Sequence, residues 1–247
     1  MRAMPWDVIA LQEVTIDTWK TIKAERLGEA YLYAFDDLEI TPVGQLPHGA
    51  ALIARNGFSL DHPNRFPNLP RPERGLGAVT RKCSADLAVA SWHAPNASGD
   101  GVKVKMAGYQ GFIDWLNSRT TPTIAGFDGN HWERWVKLER QHIPDSDDPW
   151  LLENQFFGSN APHRLRDAFI EYLKANPTEY TAIIENRPEG PLEVSYVRKN
   201  RGNPIPERMD YILLSQEVHA RTVFYHYDAS ISAGSDHGLV TAELRVE

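Results

Sequence analysis

The chain has 247 residues, 42% of them hydrophobic and 24% charged, with a formal net charge of −7. These are the proportions of a folded domain with a sizeable core, and no apolar run approaches the ~20 residues of a membrane span. The acidic balance excludes a histone-like, purely electrostatic nucleic-acid binder, yet suits an acidic metal-dependent site, because a bound cation reverses the local sign.

The single Cys83 cannot close an internal disulfide, which matches a reducing compartment and makes the cytoplasm the expected location. The N-terminal MRAMPWDVIALQEV shows no apolar h-region followed by a small-residue cleavage site, so no signal peptide is visible. A single domain over residues 1–247 is expected, since no composition shift calls for two.

In chain order, DVIALQ reads as a first strand, and TIDTWKTIKAERLG follows as a helix with Ile16, Trp19, Ile22 and Leu27 on one face and Gly28 as its stop. HGAALIAR is the next strand, the Pro-rich NRFPNLPRPERG is a loop, and GLGAVTRK and DLAVASW are further strands. KMAGYQGFIDWLNSR carries Met106, Tyr109, Phe112, Ile113 and Leu116 at helical spacing, after which PTIAGF returns to strand. From about Gln141 to Pro162 the sequence reads as a loop with apolar anchors, followed by a helix, HRLRDAFIEYLKANP, that stops near its Pro. MDYILLS and GLVTAELRV are the last strands. Many short strands with a few helices, and no strict βα alternation, predict a layered sandwich with helices on the outer faces.

Costly polar side chains collect at the ends of these strands. Glu13 follows DVIALQ, His93 follows DLAVASW, and Asp128 and Asn130 follow PTIAGF, whereas Asp210 opens MDYILLS and Asp236 with His237 opens GLVTAEL. Where neighbouring strands run antiparallel, C-terminal ends of some meet N-terminal ends of others, so one rim is expected to gather all seven. In GFDGN, Asp128 and Asn130 are two apart and project to one face in extended backbone; an Asx-type turn is the competing reading.

The set LQEV, SWHAPNASG, GFDGN, RMDYILLS and GSDHGLV, in that order, resembles the endonuclease/exonuclease/phosphatase superfamily, whose members are similar to deoxyribonuclease I and exonuclease III. HGAALIAR, ERGLGAV and LRDAF are similar to weaker elements of that family, and the likeness runs from about Asp7 to Leu244. It implies a four-layer α/β sandwich, two mixed, mostly antiparallel β-sheets face to face with helices outside, and Mg²⁺- or Mn²⁺-dependent hydrolysis of phosphate esters. By that resemblance Glu13 and Asp236 are metal ligands, Asp210 hydrogen-bonds His237, Asp128 orients or deprotonates the attacking water, and Asn130 holds a phosphate oxygen. His93 takes the place of a His in the deoxyribonuclease branch. The chemistry suits these residue types, since carboxylate oxygens hold a hard cation and a carboxylate beside an imidazole fixes its tautomer and raises its basicity.

Two departures from the family pattern stand out. The strand carrying an Asn that usually precedes LQE is not seen in MRAMPW, the residues before Asp7: either the sequence starts late or this branch lacks that strand. Where the deoxyribonuclease branch has the Glu that partners its His, this region reads QLPHGAAL, with Pro47 and His48, so His93 either lacks a carboxylate partner or takes Glu73 as a substitute. The expected function is a nuclease or other phosphodiesterase acting on nucleic acid. The alternatives are a small-molecule or lipid phosphodiesterase or phosphatase, and a catalytically silent binding module that keeps the sandwich. Arg198, Lys199, Arg201 and Arg208 form the main basic cluster, a phosphate contact or a solvated loop. Trp132, Trp135 and Trp150 either stack on substrate or pack in a core. His62, His131, His142, His163, His219 and His226 lack metal-ligand spacing and read as solvated or packed.

Overall fold

The computed structural model describes residues 5–42, 47–82, 85–130, 151–157, 161–188 and 190–247. The chain divides into two compact units, Met1–Phe127 and Asp128–Glu247.

The first unit opens with strand β1 (Val8–Thr15) running into helix α1 (Ile16–Ala24), whose start is set by Thr15: its hydroxyl accepts a hydrogen bond from the Thr18 N–H at 3.1 Å. Strand β2 (Ala30–Tyr33), the short helix α2 (Ala34–Asp37) and strand β3 (His48–Ala54) follow, and the sheet order is β1-β3-β2, antiparallel throughout. β3 is buried on both faces, which is why HGAALIA reads as an unbroken apolar run. Ala50 and Leu52 face one way, into a core with Leu32, Leu76, Ala78 and Val89; Ala51 and Ile53 face the other, against Trp19 and Ile22 of α1.

Strands β4 (Ser59–Asn64), β5 (Gly75–Lys82), β6 (Ala85–His93) and β7 (Thr123–Asp128) form a second sheet in that order, with helices α3 (Ala97–Asp100) and α4 (Val102–Asn117) between β6 and β7. Leu76, Ala78 and Val89 point at the first sheet, and the opposite face carries Trp92, 4.3 Å from the Phe112 ring and 5.0 Å from that of Tyr109 on α4. A Cβ at Gly77 would sit 2.6 Å from the Trp115 ring, so only glycine lets this helix close on β5. The first unit is therefore four layers deep: α1, sheet, sheet, α4. Burial of residues such as Leu52 and Phe112, each fully enclosed, contributes about 1.5–3 kcal/mol apiece.

The second unit contains α5 (Leu151–Phe156), β8 (Arg166–Asp167), α6 (Ala168–Ala175), α7 (Pro177–Asn186), β9 (Tyr196–Asn200), β10 (Asn203–Glu207), β11 (Asp210–Leu214), β12 (Val218–His226), α8 (Tyr227–Ser232) and β13 (Leu239–Val246). β12 and β13 pair antiparallel from Val218↔Val246 to His226↔Leu239, β9 pairs with β10, and β8 pairs with β11. α6 packs on β12 and β11, with the Phe169 and Tyr225 rings 5.3 Å apart.

Four differences from the expected elements are seen. The helix expected from His163 begins later, at Ala168, because Asp167 caps it, accepting from the Phe169 N–H at 2.9 Å. Pro177 ends one helix but also opens the next at a first-turn position, where its missing N–H costs nothing. Within the stretch read as a loop from Gln141 to Pro162, Leu151–Phe156 is helical, while residues 141–150 and 158–160 lie outside the described residues. β12 escaped notice because its sequence, VHARTVFYH, mixes charged and apolar residues on a half-exposed strand.

Candidate active site

In the first unit, the pairing of β1 with β3 slips between Leu11 and Val14, so that Gln12 and Glu13 together occupy the space of one residue. This is a β-bulge, and Glu13 adopts φ of +54°, in the left-handed region that a residue with a Cβ enters at a cost of about 1–2 kcal/mol. Its effect is to aim two consecutive side chains at chosen partners. The Gln12 amide donates to Ser91 Oγ at 3.0 Å and to the Gly126 carbonyl at 3.3 Å, while Ser91 itself donates to the Leu11 carbonyl at 2.7 Å. Glu13 meets two imidazoles, with Oε1 3.7 Å from His93 Nε2 and 3.9 Å from His48 Nε2. His93 is buried at the end of β6, His48 is partly exposed at the start of β3, and Glu13 is exposed. One donor atom from each of the three lies within 4.8 Å of the other two.

In the second unit, the corresponding set is Asp128, Asp210 and His237, again with one donor atom each within 4.8 Å of the others. Here the contacts are hydrogen-bonded. His237 Nδ1 lies 2.8 Å from Asp210 Oδ2, and the Asp128 carboxylate accepts the Asn130 N–H at 2.7 Å, with Asn130 at φ of +45°. GFDGN therefore forms an Asx-type turn, and the turn holds one carboxylate oxygen in place. Burial opposes protonation of His237, but the hydrogen bond and charge of Asp210, with the charges of Asp128 and Asp236, outweigh it and raise the imidazole to about 9. At neutral pH this ring is an imidazolium between carboxylates.

Backbone geometry around His237 comes from Ser195, a fully buried residue. Its hydroxyl accepts from the Met209 and Asp210 N–H groups at 2.8 and 3.1 Å, and its carbonyl accepts from the Gly238 N–H at 2.6 Å, so one serine ties the Asp210 and His237 segments together. Tyr196, next to it, bridges to His237 through the backbone and sets its ring 4.8 Å from the imidazole. From below, the buried Arg208 donates to Asp167 at 2.7 Å and to the Tyr225 hydroxyl at 2.7 Å, and Tyr225 donates to the Asp210 carbonyl at 2.8 Å.

No family model matches the sequence, and no curated protein sequence matches it. In three dimensions the chain is similar to TDP2 of D. rerio, solved in complex with single strand DNA product, with a TM-score of 0.65 at 13% identity, over 97% of this chain and 86% of that one. It is similar to an endonuclease/exonuclease/phosphatase from Bacteroides vulgatus, with a TM-score of 0.59 at 14% identity over 98% and 85% of the two chains. The chain has the endonuclease/exonuclease/phosphatase fold. ANGEL2, a 2′,3′-cyclic phosphatase solved with adenosine-2′,3′-vanadate, shares that fold with it at a TM-score of 0.58 and 18% identity, over 98% of this chain and 82% of that one. The α/β sandwich class expected from the sequence is the one observed.

Within the endonuclease/exonuclease/phosphatase fold, the structure brings Glu13 to His93 in the first unit, and Asp128, Asp210 and His237 together in the second. Glu13 stands where a carboxylate partner of His93 was expected from Glu73. Asp236 is exposed and acts on the neighbouring imidazole by charge. Arg208 leaves the expected basic cluster: it is 1% exposed, paired with Asp167 and enclosed by the Phe169, Tyr211 and Tyr225 rings. Arg198 is engaged by Glu207 at 3.0 Å, so Lys199 and Arg201, at the exposed tip of the β9–β10 hairpin, carry that cluster's outward charge. His163 is packed, as expected: its Nε2 lies 3.0 Å from the Phe156 carbonyl, and burial lowers it to about 4. Cys83, His131, His142, Trp132, Trp135 and Trp150 lie outside the described residues.

The sequence reading missed Ser195, Gln12 and Tyr196, which carry no charge pattern and no periodicity. His48 left a signal, standing where the family pattern has Glu. Three donors around Glu13, two of nitrogen and one of oxygen, fit a divalent cation.

Proposed function

We propose that the chain is a divalent-metal-dependent phosphoesterase that hydrolyses phosphodiester bonds of nucleic acid. The observation that carries this reading is the Asp128, Asp210 and His237 group, an imidazolium held at 2.8 Å by one carboxylate with a second in reach. Asp128, braced by the Asn130 N–H, orients the attacking water and accepts its proton as the new O–P bond forms and the opposite P–O ester bond breaks, the departing oxygen taking its proton from water. Asn130 holds a phosphate oxygen. His237, charged at neutral pH, donates to the oxygens of the five-coordinate phosphorus rather than acting as the base, and Asp210 keeps its ring in register. Glu13 and Asp236 are the proposed metal ligands, and His93 belongs to the reaction with Glu13. A divalent ion, Mg²⁺ or Mn²⁺, supplies positive charge that neutralises the phosphate and polarises its oxygens when bound.

Support for a nucleic-acid substrate comes from the β9–β10 hairpin. Arg201 and Gly202, at φ of +50° and +85°, make a tight turn that presents Lys199 and Arg201 to solvent, and the hairpin begins at Tyr196, whose ring lies 4.8 Å from that of His237. The TDP2 structure carries single strand DNA product on the same fold.

The test is hydrolysis of bis-p-nitrophenyl phosphate and of a labelled single-stranded oligonucleotide by the purified chain with Mg²⁺ or Mn²⁺. Turnover that stops with chelator and falls at least ~10²-fold in His237→Ala is expected. No turnover with any divalent ion would leave the binding-module reading in its place.

A further inference from the structure

We propose that Glu13, His48 and His93 form a site for a first-row transition ion of the Zn²⁺ type, and that His48 makes this chain prefer such an ion to Mg²⁺. The inference takes from the phosphoesterase reading only the use of Glu13 as a ligand; the site itself is read from its donors.

Three observations carry it. The Glu13 contacts, 3.7 Å to His93 and 3.9 Å to His48, are too long for hydrogen bonds, yet one atom from each residue lies within 4.8 Å of the others. Four-coordinate Zn²⁺, with bonds of ~2.0–2.2 Å, sets its ligand atoms about 3.4 Å apart, so the two Glu13 contacts are only slightly wider than an ion requires, and the third pair lies within 4.8 Å. Glu13, its side chain 59% exposed, has room to adjust toward both rings, while His93, 6% exposed, is held by the core.

The second observation is the donor chemistry. Two imidazole nitrogens and one carboxylate oxygen, with a fourth position open, suit Zn²⁺, Co²⁺ and their neighbours. Mg²⁺ favours oxygen ligands in near-ideal octahedral geometry and keeps several waters, so each nitrogen counts against it. The third is the backbone: Glu13 is held at φ of +54° by a bulge whose consequence is to point its carboxylate at the two rings. A strained residue aimed at two imidazoles is a site paid for in stability.

The experiment uses the full chain stripped with chelator and then titrated with Co²⁺, read by visible d–d absorption. One Co²⁺ per chain with an intense, low-symmetry spectrum is expected, displaced by stoichiometric Zn²⁺ but not by a large excess of Mg²⁺. His48→Ala is expected to weaken Zn²⁺ binding at least ~100-fold, beyond an outer-shell loss. In His48→Glu an oxygen replaces the nitrogen, and the preference for Zn²⁺ over Mg²⁺ should shrink while circular dichroism and melting stay as in the parent. An absent Co²⁺ spectrum, displacement by Mg²⁺ at similar concentration, or unaltered selectivity in His48→Glu would each overturn the proposal. The same samples assayed on bis-p-nitrophenyl phosphate separate the two readings: Co²⁺ bound but no turnover with Co²⁺, Zn²⁺, Mg²⁺ or Mn²⁺ sinks the phosphoesterase, and Mg²⁺-driven turnover without Co²⁺ bound sinks this site.

Discussion

The two carboxylate–imidazole groups use the same residue types and are built for different work. Around Glu13 the donors stand 3.7–3.9 Å apart, and the carboxylate comes from a strained bulge on an exposed side chain. Around His237 the contact is a 2.8 Å hydrogen bond, the backbone is clipped by Ser195, and Arg208 and Tyr225 brace Asp210 beneath. Spacing decides the outcome. Donors held apart leave room for a cation between them, whereas donors in hydrogen-bond contact satisfy one another and tune a proton.

That contrast is open to experiment, and the largest effect is expected beneath His237. Arg208→Met keeps the side-chain bulk but leaves Asp167 without its buried partner, and a loss of about 3–5 kcal/mol is expected in urea unfolding. A loss below about 1 kcal/mol would mean that the second group is not braced as described. The imidazole gives a pH signature next. Because the folded value, about 9, lies above the ordinary value of 6.5, the stabilisation is fully present below pH 6.5 and disappears as pH rises through 9. It amounts to about 1–3 kcal/mol. Asp210→Asn should flatten that slope, and proton NMR of the metal-free chain should show the His237 ring titrating lower in the variant.

Ser195→Ala removes the acceptor of the Met209 and Asp210 N–H groups and should cost about 1–3 kcal/mol with a lowered turnover number. An unchanged melting temperature would show that the clip is dispensable. The smallest effect has the opposite sign. Glu13→Gly relieves the left-handed backbone and should leave the chain as stable as before or more so, by up to about 1 kcal/mol, while its metal affinity falls. A clear destabilisation would show that the bulge is not strained, and would erase the difference drawn between the two groups.

Much of the molecule was legible before its coordinates. HGAALIA, buried on both faces of its sheet, is continuous apolar sequence because both faces are covered, and α1 announced itself by the spacing of Trp19 and Ile22. The strand-end position of Asp128, Asp210 and His237 put them in one list, and the structure puts them in one group. What resisted reading has common causes. Ser195 works through its hydroxyl and its backbone, which no pattern of charge or hydrophobicity marks. Arg208 looked like surface charge because its partner, Asp167, lies 41 residues away, and only folding reveals that its guanidinium lies among three aromatic rings.

By itself the sequence determined the class of fold, through the alternation and length of its apolar runs, and the chemical alphabet of the sites, because carboxylates and imidazoles are too costly at strand ends to be placed there without use. Tertiary structure alone decided which of those groups meet and at what distance. A one-residue bulge reverses the side to which a strand points its side chains, so the path that brings Glu13 to His48 and His93 exists only once β1 has paired with β3.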